Sequence, residues 1–351
     1  MMKPVICVPM GDAAGIGPEI VVAAILDPAV AASARVLVVG HGEILRRAAA
    51  VKRISLRINR VGDDLAGLED GALNLLHMDN ISASSFAYGR VQASCGQAAL
   101  EYIAKGVDLA MAGKVDALAT APINKEALKA ARVPYIGHTE ILADLANSGD
   151  LLTMFQTREL RIFFLTRHLP LMEACKAVSC DRVIRYIRRC SAALGYLGIR
   201  DPRLAVAGLN PHSGEHGLFG AEEETEIAPA VEAARKEGYR VDGPRPADSV
   251  FYFALKGAWD AVLSLYHDQG HIAAKMVDFE RTISLTLGLP FLRTSVDHGT
   301  AFDIAGTGKA SGLSMVEAIR LAAVYVPAFR KKKEADARLF YGKHSRHDLQ
   351  E

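Results

Sequence analysis

Short β-branched apolar runs alternate along the chain with segments whose apolar positions recur at helical spacing. The runs at 5–8, 35–39, 117–121, 161–165, 204–209, 261–266 and 292–296 predict strands. The segments at 18–26, 97–112, 180–197, 223–236 and 315–326 predict helices. Such alternation implies mostly parallel sheets covered by helices on both faces. The charged stretch from Arg330 to Glu351 lacks a sustained apolar stripe and reads as a solvated tail. No internal repeat or low-complexity linker is present, so the domain junction is expected where the chain crosses between two lobes.

At 351 residues the chain exceeds the usual size of one hydrophobic core, which predicts two domains. Half of the residues are hydrophobic, excluding a disordered or collagen-like chain. Lys plus Arg number 41 against 40 Asp plus Glu, so no global field exists to hold nucleic acid or an anionic membrane. An anionic ligand must be met by a local cluster. The five cysteines include no CxxC pair, which argues against a disulfide framework or a thiolate zinc site. With no signal-like N-terminus and no apolar run of about 18 residues, a cytoplasmic protein is expected.

The turn Gly11-Asp12-Ala13-Ala14-Gly15-Ile16-Gly17-Pro18-Glu19 follows a predicted strand and opens a helix, with Pro18 suited to its first position. Its glycines do not match G-x-G-x-x-G, so it reads equally as a tight turn or a ligand loop. The run from Ala305 to Ala310 lacks the first glycine and the final Ser or Thr of a phosphate-binding P-loop. Among eleven histidines, His168, His212 and His267 each follow a predicted strand, where open α/β sheets place their ligand crevices. Singly, each is more often a hydrogen-bonded histidine than a ligand. Together they suit zinc or another divalent ion with open positions for substrate. His267 and His271 have the spacing of a helical pair, but Gly270 between them favours a loop. His138 precedes Thr139, a candidate N-cap, and Lys275 and Arg293 flank an apolar segment, as carboxylate or phosphate recognition would require.

Five ordered motifs resemble the 4-hydroxythreonine-4-phosphate dehydrogenase family of vitamin B6 synthesis. They are Gly11-Asp12 through Gly17-Pro18-Glu19, Gly137-His138-Thr139-Glu140, Leu209-Asn210-Pro211-His212, Tyr266-His267-Asp268-Gln269-Gly270, and Arg293 through Ala301. The resemblance implies a two-lobed α/β/α fold of the isocitrate/isopropylmalate dehydrogenase type. Residues 1–137 with 297–351 would form one lobe and 138–296 the other. It also implies a homodimer with active sites at the subunit interface. His168, His212 and His267 would hold zinc, or alternatively magnesium, manganese or cobalt, and His138, Thr139, Lys275, Ser284 and Arg293 would contact substrate. NAD or NADP would lie along His298, Gly299, Thr300 and Asp303. This sequence departs from the family pattern at Ser284, at Ala13, and at His271, where the family has leucine.

The implied reaction oxidises a hydroxyl β to a carboxylate, with metal assistance, and then releases carbon dioxide. Lys275 is a candidate in that chemistry, and Asp248 or Asp268 could orient a histidine or accept the hydroxyl proton. Alternatives are a dehydrogenase of threonate or erythronate 4-phosphate, one of a dihydrodiol dicarboxylate, and, in a different class, a phosphate acyltransferase.

Overall fold

A computed structural model of the chain describes residues 3–344, with side chains through Asp336. In chain order the strands are β1 (Val5–Pro9), β2 (Arg35–Gly40), β3 (Ile58–Arg60), β4 (Leu73–His77), β5 (Ala117–Thr120), β6 (Leu152–Thr157), β7 (Leu160–Phe164), β8 (Leu204–Ala207), β9 (Val241–Arg245), β10 (Ala261–Ser264), β11 (Ile283–Leu287) and β12 (Leu292–Val296). They fall into two compact units, Met1–Leu151 with Glu280–Val324 and Leu152–Phe279 with Tyr325–Glu351. The α/β class and the helix-flanked parallel strands agree with the sequence reading.

In the first unit the strand order is β3-β4-β2-β1-β5-β12-β11. Its pairs are parallel except β11 with β12. Strands β1 and β5 are fully buried, as strands covered on both faces must be. The expected lobe crossings at 137/138 and 296/297 are displaced, because β12 pairs with β5 and the helix His138–Leu145 packs on the helix Ala93–Met111. His138, Thr139, Ser284 and Arg293 therefore belong to the first unit.

The second unit has the order β6-β7-β10-β8-β9, with only β6 and β7 antiparallel. Phe155, Ile162, Phe164, Val250, Phe251 and Val262 are central to its core. Against the expectation of a loop, His267–Val277 is a helix. Gly270 is required there by packing: a Cβ would stand 2.5 Å from the Phe164 ring and 2.7 Å from Ser264 Oγ. The cost of glycine in a helix is thus accepted for close approach to β7 and β10. The charged C-terminal stretch differs from the expected tail as far as it is described, since the helix Leu313–His344 takes in residues 330–344. Its described side chains are still mostly exposed, with Lys332 and Asp336 paired at 2.6 Å; residues 345–351 lie outside the described residues. Among the described residues, no helix is long and apolar enough to cross a membrane.

The two glycine-rich stretches read separately in the sequence are joined in the first unit. Ile16 N–H donates to the Thr300 carbonyl at 3.0 Å. Glu19, buried in the first turn of the helix Gly17–Ile25, accepts from Gly306 N–H at 2.6 Å and Gly308 N–H at 3.1 Å. A carboxylate at a helix N-terminus is favoured by the dipole, and here it fixes a loop that has no ladder of its own. Glu19→Ala should destabilise the fold by about 2 kcal/mol or more, because two part-buried amides lose their acceptor. A urea midpoint unchanged from the parent, at equal slope, would contradict that role.

Candidate active site

The segment after β12 holds the residues expected at a dinucleotide. His298 Nδ1 faces the Gly299 carbonyl at 3.0 Å, and its Nε2 meets Ser314 Oγ at 2.7 Å. Thr300 is buried, Asp303 is exposed, and a Cβ added to Gly299 would meet nothing within 4 Å. Gly299 therefore leaves open space beside the backbone. Gly306 differs, with φ +77° and Tyr88 where a Cβ would be.

Also in the first unit, Arg293 on β12 is 4 % exposed. Its partners are hydroxyls: Nε and Nη2 donate to Thr120 Oγ1 at 3.2 and 2.6 Å, and Nη1 to Thr286 Oγ1 at 2.9 Å. No carboxylate among the described residues is bonded to it. Burial lowers this guanidinium to about 9, which leaves it charged at neutral pH. Burial, with nearby Arg293, also holds His138 well below the ordinary histidine range. The Ala121 backbone bonds the His138 ring, while Nε2 is buried without a partner. A buried cation without a carboxylate is a recognition element for an anion, and the open Nε2 of the neutral His138 ring beside it can accept from a hydroxyl. Thr139 does not cap the helix as expected. The helix begins at His138 after Gly137, and Glu140 reaches back to Ile136 N–H at 2.6 Å. Ser284 lies on β11 opposite Ser295.

In the second unit, His168, His212 and His267 follow β7, β8 and β10, as predicted. The rings of His168 and His267 have centroids 6.2 Å apart. His212 is 65 % exposed and is not gathered with them into a set of ligand atoms within 4.8 Å. Its Nδ1 lies 3.1 Å from Glu215 Oε2, and His267 Nδ1 lies 2.6 Å from Asp268 Oδ1. A carboxylate can only accept, so each ring donates from Nδ1, and its neutral form presents a free Nε2 lone pair. That is the tautomer a metal ligand needs. Asp268 thus orients His267, whereas Asp248 is exposed and no described bond ties it to a histidine.

The His212 loop is strained. Residues 212–217 all have positive φ, and four of them are not glycine. Left-handed backbone costs such residues roughly 1–2 kcal/mol each, so the turn must be held from outside. Buried Glu223 anchors the chain just before the turn, accepting from Leu209 N–H and Asn210 N–H, both at 2.7 Å, and from Asn210 Nδ2 at 2.9 Å. On the helix His267–Val277, His267, His271 and Lys275 share one face. His271 stacks on His267 with centroids 3.6 Å apart and an interplanar angle of 12°. Burial lowers His271 to about 4, keeping it neutral between Phe155 and Phe164.

A group missed in the sequence is His41, His77 and Asp79 in the first unit, whose ligand atoms lie within 4.8 Å of one another. Distance favours a metal there, but hydrogen bonding opposes it. Gly42 N–H donates to His77 Nδ1 at 3.1 Å and Glu43 N–H to His41 Nδ1 at 3.3 Å. Each neutral ring then has its proton on Nε2, with no lone pair left to bind a cation. The pattern makes His41 the N-cap of the helix Gly42–Val51. Position was a signal available in the sequence for His41, which follows the strand predicted at 35–39, whereas His77 ends β4, a strand the apolar pattern did not mark.

Residues 32–322 match the family model of the pyridoxal phosphate biosynthetic protein PdxA. The chain belongs to this family. It is 59 % identical over 328 residues to a protein of Halalkalibacterium halodurans named "Putative D-threonate 4-phosphate dehydrogenase", covering 93 % of this chain and 98 % of that one. A 4-hydroxythreonine-4-phosphate dehydrogenase from Klebsiella pneumoniae superposes with a TM-score of 0.85 at 41 % identity, covering 93 % and 98 % of the two chains. A terephthalate 1,2-cis-dihydrodiol dehydrogenase from Burkholderia xenovorans LB400 gives 0.63 at 30 % identity, covering 92 % and 98 %. Dehydrogenase activity and the isocitrate/isopropylmalate dehydrogenase-like fold follow from this membership.

In this PdxA-family chain, the unpaired Arg293 predicts an anion-linked stability. Inorganic phosphate should raise the thermal midpoint of the parent and leave Arg293→Met unmoved. Without added anion, Arg293→Met should be at least as stable as the parent, because a buried uncompensated charge has been removed. Loss of several kcal/mol in anion-free buffer would show that the guanidinium is structural.

Proposed function

We propose that this chain oxidises a small phosphorylated β-hydroxy acid with NAD or NADP, using a divalent ion, and that the product then loses carbon dioxide. The observation that carries the reading is the hydrogen-bond polarity of His212 and His267, each held by a carboxylate with Nε2 open. The donor set fits a borderline ion such as zinc, and magnesium, manganese or cobalt remain alternatives. His168, His212 and His267 would hold it, and the ion would supply Lewis acidity at the substrate hydroxyl.

The chain's own residues have separable roles. Arg293 and Thr139 take an anionic end of the substrate in the first unit, His138 accepts from a substrate hydroxyl through Nε2, and Ser284 adds a short hydroxyl contact there. Lys275 follows His267 and His271 on their helix face and serves proton transfer. Asp268 holds the His267 tautomer. A bound nicotinamide would supply the hydride acceptor for the carbinol carbon, and with the hydroxyl proton given up the product would be a β-keto acid. On release of carbon dioxide, the freed electron pair moves into an enolate that is then protonated. The dinucleotide is assigned to His298, Gly299, Thr300 and Asp303, where Gly299 permits close backbone approach. The names of the similar proteins support a phosphorylated four-carbon acid.

A homodimer fits the outer face of the His267 helix, where Ile272 and Met276 are 61 % and 80 % exposed and Phe279, just past its end, is 66 % exposed. Such an apolar stripe beside His267 and Lys275 is suited to burial against a second copy, which would put the site at the subunit interface.

Metal analysis separates the two histidine groups. The parent and His41→Ala should each retain about one divalent ion per chain after dialysis, and His212→Ala should retain little, since three protein ligands leave none spare. Full occupancy in His212→Ala, or loss in His41→Ala, would move the ion to the first unit.

A further inference from the structure

A second arginine lacks an acid partner, and nothing above gives it a role. Arg167 directly precedes His168 in the loop after β7 and is half-buried. Its side-chain partner is Thr153 Oγ1, accepting from Nη1 at 2.5 Å. Among the described residues, no carboxylate is bonded to it. Burial lowers Arg167 from the ordinary arginine value. Arg182 comes to the same end of β7, donating from Nη2 to the Leu165 carbonyl at 3.1 Å. Its Nε is buried with no partner, and its guanidinium lies 5.8 Å from the centroid of the Tyr186 ring.

Two guanidiniums beside one strand end, satisfied only by a hydroxyl, a carbonyl and a π face, create a positive field next to His168. Desolvating cations without counter-ions is costly, so the arrangement is explained by a ligand that is negative or oxygen-rich there. It also repels a ligand that is positive there. This distinction matters for the candidate substrates. A phosphorylated α,β-dihydroxy acid carries only anionic and neutral groups, whereas its α-amino counterpart adds an ammonium beside the carboxylate.

We propose that Arg167, supported by Arg182, selects for a hydroxyl over an ammonium at the substrate carbon next to the carboxylate. The inference rests on the proposed dehydrogenase reading and on His168 belonging to its site. Like charges about 6 Å apart at an effective dielectric near 20 discriminate by roughly tenfold to a hundredfold.

The test is kcat/KM for D-threonate 4-phosphate and for 4-hydroxythreonine 4-phosphate, measured with the parent, Arg167→Gln and Arg167→Lys. The ratio of two substrates on one preparation is insensitive to the fraction of protein that is folded. The parent should favour the hydroxy acid at least tenfold, Arg167→Lys should keep that preference, and Arg167→Gln should reduce it at least tenfold, mainly by lowering KM for the amino acid. A ratio unchanged in Arg167→Gln, or a parent that prefers the amino acid, overturns the inference and leaves the dehydrogenase intact. Turnover of neither compound overturns the proposed function, and the inference falls with it.

Discussion

A guanidinium taken out of water must be matched by negative charge, and in each unit of this protein the fold withholds it. Arg293 is enclosed by Thr120 and Thr286, and Arg167 is met by Thr153. Ordinary ion pairs elsewhere, such as Arg203 with Asp260, show that the sequence supplies carboxylates where structure alone needs them. At Arg293 and Arg167 it does not. The hydroxyl partners orient each guanidinium without neutralising it, so the positive field is left for a ligand.

Polarity of hydrogen bonding gives a second constraint, independent of distance. His41 and His77 stand close together but accept amide protons at Nδ1, whereas His212 and His267 face carboxylates. The same side chain is a helix cap in one setting and a potential cation ligand in the other. The left-handed turn at 212–217 belongs to this second setting. The chain entering it is anchored by Glu223, a buried carboxylate whose three described bonds all go to Leu209 and Asn210.

Much of this was legible in the chain. The seven predicted strands all appear, and the strand-end histidines stand where the pattern put them. β3, β4, β6, β9 and β11 were missed, because polar residues such as Asn59, Asn74, Gln156 and Asp242 interrupt their apolar character. The helix at His267 was misread because Gly270 looks like a breaker, and only the approach of Phe164 explains it. Unit boundaries followed from the pairing of β12 with β5, a contact between residues far apart in sequence. Arg167 had no local signal at all: its significance is the absence of an acid partner, which only three-dimensional packing reveals.

The most direct measurement of the central claim is NAD(P)H formation from D-threonate 4-phosphate by the purified chain, before chelation, after it, and after adding back a divalent ion. The account predicts turnover that disappears with chelation, returns with the ion, and releases one carbon dioxide per reduced nicotinamide. Turnover indifferent to chelation, or hydride transfer without carbon dioxide, would contradict it.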